Sequence, residues 1–379
     1  MFVMKMRDCF LALLFLCSCV MHPFAAAAHE NMPQLHCTSV LMEAETGLVL
    51  AGENPDDVLP IGSQTKLMTV YLTAAAIEEE KLTPDTLVSA PAAVAEQKGA
   101  VVWLEPGEKM SVSDLLKAVI IGNANDAAVT LAYAVSGSEA QFVLDMNAAA
   151  FSLGMHTTRF ADATGQRAEN QSCAKDLGLL CRALLAFDFL SGIFGTWRDF
   201  LRDGTTELVS ENTLTRTYEG LLGFKAGHGE QCGFTLAAAA ERDGLLCIAV
   251  VLGCEDKDAR FSLAKTLLAK GFAGYMVTTP DFSTEFLKPV AVRHGMDRAV
   301  MTDPRMLVSV AIPKGEAVSC LVVLPAYVEA PVEKGQKLGV AAFYCGDTLL
   351  YEAELCADAS VARRGFQDSF ALLLENLFK

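Results

Sequence analysis

A serine and a lysine stand three residues apart at the opening of a helical pattern, in Leu59-Pro60-Ile61-Gly62-Ser63-Gln64-Thr65-Lys66-Leu67-Met68-Thr69. One helical turn puts side chains at that spacing on one face. A lysine amine placed there can take the proton of a hydroxyl, which is what a serine needs to become a nucleophile when no histidine is at hand. Ser63 is therefore the candidate nucleophile and Lys66 its base. The spacing alone is a weak signal, because any surface helix can carry Ser-x-x-Lys with the serine simply capping it. It gains weight from two stretches that follow in order, Asn123-Ala124-Asn125 inside a helical region and Lys225-Ala226-Gly227 on a strand.

The elements that must hold these residues can be read from periodicity and turn residues. Cys37 to Gly52 reads as strand, turn at Glu45-Thr46-Gly47, strand. A long helix follows from about Gln64 to Glu80. Ser111 to Tyr133 reads as helical on both sides of Gly122-Asn123-Ala124-Asn125-Asp126, with Ser111 and Ser113 as caps. Gln141 to Leu153 is an amphipathic helix stopped at Gly154. Beyond Leu221 the pattern turns to strands: Gly223 to Gly227, Gly233 to Ala239, a turn at Arg242-Asp243-Gly244, and Leu245 to Gly253. Two adjacent apolar strands on a tight turn make the core of an antiparallel sheet. Arg260 opens a last helix through about Leu268, and this unit closes near Tyr275. From Thr278 to about Ala359, short apolar runs alternate with turns such as Pro313-Lys314-Gly315 and Cys345-Gly346-Asp347, which predicts a small all-β sandwich. Arg363 to Lys379 places Phe366, Phe370, Leu373, Leu374 and Leu377 at helical spacing, a stripe for packing on the β unit or for lying on a membrane surface.

Length and composition bound the rest. A chain of 379 residues with 52% hydrophobic content has material for two folded units. A formal net charge of -16 argues against a nucleic-acid partner, since phosphate binding needs a basic footprint. Lys5 and Arg7 precede an apolar run from Cys9 to Met21 and then Ala25-Ala26-Ala27-Ala28, an export signal too short for a comfortable membrane span, with cleavage expected before His29. Lipid attachment at Cys19 is the alternative. Of the 12 cysteines, those beyond this segment are scattered without C-x-x-C spacing, so no zinc site is expected and their pairing is left open.

The three stretches in this order resemble the serine penicillin-binding fold, whose motifs are S-x-x-K, S-x-N and K-T-G. The surrounding words, Leu59-Pro60-Ile61, Leu67-Met68-Thr69, Leu115-Leu116, Asn125-Asp126-Ala127, Met146-Asn147, Phe160 with Gly165, Lys225-Ala226-Gly227-His228 and Glu241-Arg242-Asp243-Gly244, are similar to the low-molecular-mass penicillin-binding proteins that act as D-alanyl-D-alanine carboxypeptidases. The likeness is strongest from Cys37 to Leu268, and continues more weakly through a β domain and a terminal amphipathic helix. It implies that Ser63 attacks the carbonyl between two D-alanines of a peptidoglycan stem peptide while Lys66 carries the proton, and that β-lactams acylate the same serine. The backbone N–H groups of Ser63 and His228 would form the oxyanion hole. Asn125 would hold Lys66 and the substrate amide, Lys225 would sit near the terminal carboxylate, and Gly227 would let the strand approach the substrate. Arg260 would be a second charge for that carboxylate or a structural arginine. No metal or organic cofactor is implied. The family likeness favours a membrane contact for the last helix and an exported protein at the outer face of the cytoplasmic membrane.

Two positions depart from the family pattern. Asn123 stands where S-x-N has serine, and it cannot relay a proton as a hydroxyl does. Ala226 stands where K-T-G has threonine, which removes a hydroxyl for the substrate carboxylate; a hydrogen bond to a charged group is worth about 1.5–3 kcal/mol, on the order of ten- to a hundred-fold. A working but altered enzyme is expected. The alternatives are a catalytically silent relative that binds peptidoglycan or an envelope partner, a D,D-endopeptidase, and a β-lactamase, which the added β domain disfavours. The expected fold is an α/β (α+β) unit with a central antiparallel sheet and a helical lobe over residues 29–277, after a signal over 1–28, then a β sandwich over 278–360 and a helix over 361–379.

Overall fold

The computed structural model describes residues 36–280, 282, 287–305 and 307–377. The expected export signal and the alternative lipid site at Cys19 lie outside the described residues. Two antiparallel strands open the chain, β1 (Thr38–Glu43) and β2 (Val49–Glu53). Their turn is built by the Glu43 carboxylate, which accepts hydrogen bonds from the Glu45 and Thr46 backbone N–H groups.

The chain returns to this sheet only after the helical part, through β3 (Leu221–Gly223), β4 (Ala226–Gly229), β5 (Gly233–Arg242) and β6 (Leu245–Cys254). The order is β4-β5-β6-β1-β2, with β3 also on β5, and every pairing is antiparallel. The expected strand from Gly223 to Gly227 is thus two short strands, with Phe224 and Lys225 in the break between them.

Alternate residues of a strand face opposite sides of its sheet, and both sides here are apolar. Val40, Met42, Ala237, Ala239, Ile248 and Val250 belong to one buried cluster. Leu41, Leu236, Ala238, Ala240, Ala249 and Val251 belong to another. The first is covered by the helices α1 (Lys66–Glu78), α2 (Val112–Ile120), α3 (Asn125–Ser136), α4 (Glu139–Ser152), α5 (Ala174–Leu184) and α6 (Asp188–Phe194). The second is covered by α7 (Lys257–Gly274), through Phe261, Ala264 and Leu268. Helix α7 begins before Arg260 and runs past Leu268, longer than its sequence pattern predicts. Its buried face includes Ala264 and Gly271, which carry little hydrophobic signal, and Asp256 caps it by accepting from the Asp258 N–H.

Cys37 and Cys254 form a disulfide that joins the start of β1 to the end of β6. The other described cysteines, Cys173, Cys181, Cys232, Cys247, Cys320, Cys345 and Cys356, are free thiols.

The C-terminal part is a small β sandwich. Strand β7 (Tyr275–Thr278), which straddles the boundary expected between residues 277 and 278, pairs with β9 (Val310–Pro313). Strand β8 (Val290–Arg293) pairs in parallel with β11 (Tyr327–Glu329). A four-stranded sheet joins Thr302–Pro304, β13 (Thr348–Ala357), β12 (Lys337–Cys345) and β10 (Val318–Val323). The last element is α8 (Phe366–Leu377), on which Phe366, Phe370 and Leu374 are exposed. Among the described residues no single helix is long and apolar enough to cross a membrane.

Candidate active site

Ser63 lies on a single 3-10 turn, Gly62–Thr65, directly ahead of α1, so Lys66 opens the helix one turn below it. The expected helix from Gln64 therefore begins as a tighter turn. Ser63 is half-buried and lines a cleft of about 420 Å³. Lys66 is 1% exposed. Its Nζ donates to the Thr164 carbonyl at 2.7 Å. Burial lowers its basicity well below the ordinary lysine range, and the Lys225 charge lowers it further.

Thr164 reaches Lys66 because of a turn that Asp162 organises. One Asp162 oxygen accepts from the Thr164 and Gly165 N–H groups, and the other accepts from the Arg167 N–H at 2.7 Å. Gly165 has φ +85°, and a Cβ there would lie 1.8 Å from the Gly62 carbonyl oxygen. No other residue type fits so close to the serine turn. Asn147 braces the same segment from α4 by two hydrogen bonds of 3.0 Å with the backbone of Phe160.

The second stretch separates α2 from α3. Ser111 caps α2 by accepting from the Asp114 N–H at 3.1 Å. Asn123 has φ +57°, a left-handed conformation that asparagine tolerates better than most residues. Its Nδ2 donates to Ser63 Oγ at 3.3 Å. Asn125 is buried at the first turn of α3, and its Nδ2 donates to the Lys98 carbonyl at 2.5 Å. Asp126 beside it accepts from the Val102 and Leu104 N–H groups, which shapes the cleft wall from residue 98 to 104.

The third stretch is the edge of the sheet. Lys225 is buried, its Nζ donates to the Val119 carbonyl of α2 at 3.3 Å, and burial lowers its pKa to about 8. Ala226 faces the α7 side in the second buried cluster and does not line the cleft. A Cβ on Gly227 would lie 3.1 Å from the Ser63 Cβ and 3.0 Å from Thr235 Oγ1, so strand and serine turn are packed against each other. Gln64, fully buried, fastens them: its Nε2 donates to the Lys225 carbonyl at 2.9 Å and to Thr235 Oγ1 at 3.1 Å. His228 is exposed and stacks on Phe234. Arg260 is 1% exposed, lies over the rings of Phe234 and Phe261, and donates to the carbonyls of Gly227 and Thr235. Its guanidinium braces the strand from below.

Ser63, Asn123, Asn125 and His228 thus line one cleft, Lys66, Lys225 and Gly227 lie directly beneath or beside it, and Arg260 supports it through backbone. Sequence reading missed Gln64, Asp162, Thr164, Glu211 and Thr235. The run Ala161-Asp162-Ala163-Thr164-Gly165 carries a turn signal that could have found two of them. Nothing in the polar run around Glu211 marks it.

The family model described as D-alanyl-D-alanine carboxypeptidase matches residues 26–256, and that described as penicillin-binding protein 5, C-terminal domain, matches residues 287–363. The chain is 30% identical over 336 residues to D-alanyl-D-alanine carboxypeptidase DacF of Bacillus subtilis, covering 87% of this chain and 86% of that one. Its fold is similar to penicillin binding protein 5 from Haemophilus influenzae, with TM-score 0.78 and 26% identity over 87% of this chain and 99% of that one. Penicillin-Binding Protein D2 from Listeria monocytogenes, solved in a cefotaxime-bound form, matches 62% of this chain and 96% of its own at 30% identity and TM-score 0.57. With a family model spanning most of the sheet and helical lobe, and a relative of this identity along nearly the whole chain, the protein belongs to the D-alanyl-D-alanine carboxypeptidase family.

Proposed function

We propose that this chain is a serine D,D-carboxypeptidase that removes the terminal D-alanine from peptidoglycan stem peptides and is acylated by β-lactams. One observation carries the reading: a half-buried serine at a cleft mouth stands one helical turn from a lysine whose burial favours the neutral, proton-accepting amine. In this mechanism Ser63 Oγ attacks the carbonyl of the penultimate D-alanine as Lys66 takes its proton. The Lys66 proton then goes to the departing amine, and water hydrolyses the ester left on Ser63. The Ser63 and His228 backbone N–H groups receive the developing oxyanion. Asn125, by holding the Lys98 carbonyl, keeps the wall against which the peptide lies. Asn123 steadies the Ser63 hydroxyl, Lys225 supplies positive charge from beneath, and Arg260 positions Gly227 instead of binding substrate directly.

The division at residues 28, 277 and 360, with export to the cell envelope, is part of this reading. So is peripheral membrane contact through α8, supported by its exposed Phe366, Phe370 and Leu374. A silent peptidoglycan-binding relative is the second reading, favoured by Asn123 in place of a proton-relaying hydroxyl.

Intact-mass spectrometry with and without a fluorescent penicillin, on the wild type and on Ser63→Ala, tests the proposal. One adduct on the wild type and none on the variant is expected, together with release of D-alanine from a stem peptide. No adduct and no D-alanine would leave the silent reading standing.

A further inference from the structure

Two cations on the wall of the Ser63 cleft are uncommitted. Lys98 and Arg167 both line it, both are exposed, and neither side chain has a hydrogen-bond or ion-pair partner among the described residues. Other exposed cations of this acidic chain do pair with carboxylates, as Lys175 does with Asp56 and Arg198 with Glu207. The backbones that carry Lys98 and Arg167 are held although their side chains are not. The Lys98 carbonyl accepts from Asn125 Nδ2 at 2.5 Å and from Gln166 Nε2 at 2.7 Å, and the Arg167 N–H donates to Asp162 at 2.7 Å. Gln166 thereby ties the turn that carries Arg167 to the wall that carries Lys98. Both charges are presented to the cleft from fixed backbone, which spares a ligand the cost of ordering a loop.

Position decides which part of a peptide these cations meet. Lys225 and His228 belong to the leaving-group side, where the terminal carboxylate goes. Lys98 and Arg167 stand instead beside Asn125 and Thr164, along the wall against which the acyl part of the peptide lies. The acids that line the cleft, Glu211 and Glu230, stand with His228: Glu230 is in the turn after β4, and Glu211 Oε2 is 3.7 Å from His228 Nδ1. Neither acid is paired with Lys98 or Arg167. A carboxylate on the acyl part is therefore drawn to the Lys98 wall and repelled from the β4–β5 turn.

We infer that Lys98 and Arg167 set specificity for the acyl side of the substrate: the cleft selects stem peptides whose residue before the two D-alanines carries a free side-chain carboxylate, over those in which that group is amidated or absent. The terminal D-alanine leaves as before, and the two cations hold the part of the peptide that stays on Ser63. An amide in place of the carboxylate keeps the shape and loses the charge, so discrimination is electrostatic and weakens with salt. This inference rests on the assignment of Ser63 as nucleophile and of Lys225 to the leaving-group side.

The test is binding without chemistry. Full-length Ser63→Ala is titrated by calorimetry with acetyl-L-2-aminopimelyl-D-alanyl-D-alanine, whose first side chain ends in a carboxylate, and with its side-chain carboxamide. The acid is expected to bind about fivefold tighter at about 10 mM salt, and less than about twofold tighter at about 1 M. Adding Lys98→Gln and Arg167→Gln together should bring the ratio to about one. Adding Lys98→Glu and Arg167→Glu should invert it, which a misfolded chain cannot do. Equal binding of the two peptides, a ratio unmoved by the substitutions, or no binding of either overturns the inference. Release of D-alanine by the Ser63 protein is followed separately. Turnover with equal binding of acid and amide sinks only the Lys98 and Arg167 assignment, whereas a charge-dependent ratio without turnover sinks only the enzymatic reading.

Discussion

Asn123 Nδ2 donates to Ser63 Oγ at 3.3 Å from a backbone held at φ +57°. The side chain that replaces the family's serine is thus a donor to the nucleophile. It can hold the hydroxyl, but it cannot pass the proton on. Asn123→Gly keeps the left-handed backbone and removes the amide. It should slow acylation by fluorescent penicillin about three- to tenfold, the worth of one ordinary hydrogen bond. Asn123→Ala should in addition lower stability by about 1–2 kcal/mol, because a Cβ without the asparagine amide disfavours this conformation. A variant as fast as the wild type would show that the contact does nothing for the serine.

Gly227→Ala puts a methyl 3.1 Å from the Ser63 Cβ and 3.0 Å from Thr235 Oγ1. Overpacking of this kind costs about 1–3 kcal/mol. Relief by moving β4 away from Ser63 would disturb the Ser63 and His228 N–H pair. We expect acylation to fall about a hundredfold, the range seen for losing one oxyanion donor, with a lower thermal midpoint. Unchanged acylation with a lowered midpoint would mean that the strand yields without moving the serine.

Gln64 joins the serine turn to the sheet edge across 161 residues of chain. Gln64→Met fills the same space without donors and leaves Thr235 Oγ1 short of a partner. The expected loss is about 1–3 kcal/mol in denaturant unfolding. Slower acylation should accompany it, because the serine turn loses its tether to β4.

The two buried lysines set a pH dependence. Acylation needs neutral Lys66, so its rate should rise with pH through the Lys66 titration. The Lys225 charge is the second cause of the low Lys66 basicity, after burial. Lys225→Gln should therefore move that rise to higher pH, whatever it does to the plateau. Stability follows the same sign. Folding lowers the Lys225 pKa from 10.5 to about 8, so between those values the unfolded chain holds more protons than the folded one. Stability contributed at this site should grow as pH rises from 8 towards 10.5, and Lys225→Gln should lose that slope. Rate profiles and unfolding midpoints over this range check both.

Much of the architecture was legible because it repeats. The unbroken apolar run from Leu245 to Gly253 and a turn at Arg242-Asp243-Gly244 mark the central hairpin, and β5 and β6 follow that pattern within a few residues. The full length of helix α7 is hidden in the sequence because small residues stand on its buried face. Lys225 reads as part of one strand, whereas the edge is two short strands there, its carbonyl still accepting from the Ala237 N–H of β5 and also from the Gln64 amide. Cysteine pairing was illegible, since Cys37 and Cys254 are 217 residues apart and only the pairing of β1 with β6 brings them together.

By itself the sequence determined the chemistry available, a serine and a lysine one helical turn apart and two further polar stretches in order, because local spacing dictates which side chains share a face. Tertiary structure alone decided where each atom points. Lys66 meets Thr164, Lys225 meets Val119, Arg260 lies beneath Gly227, and Glu211 faces the cations. These partners are distant in the chain, and burial, which changes the basicity of the lysines and leaves one Glu211 oxygen without a donor, exists only once sheet and helices have packed.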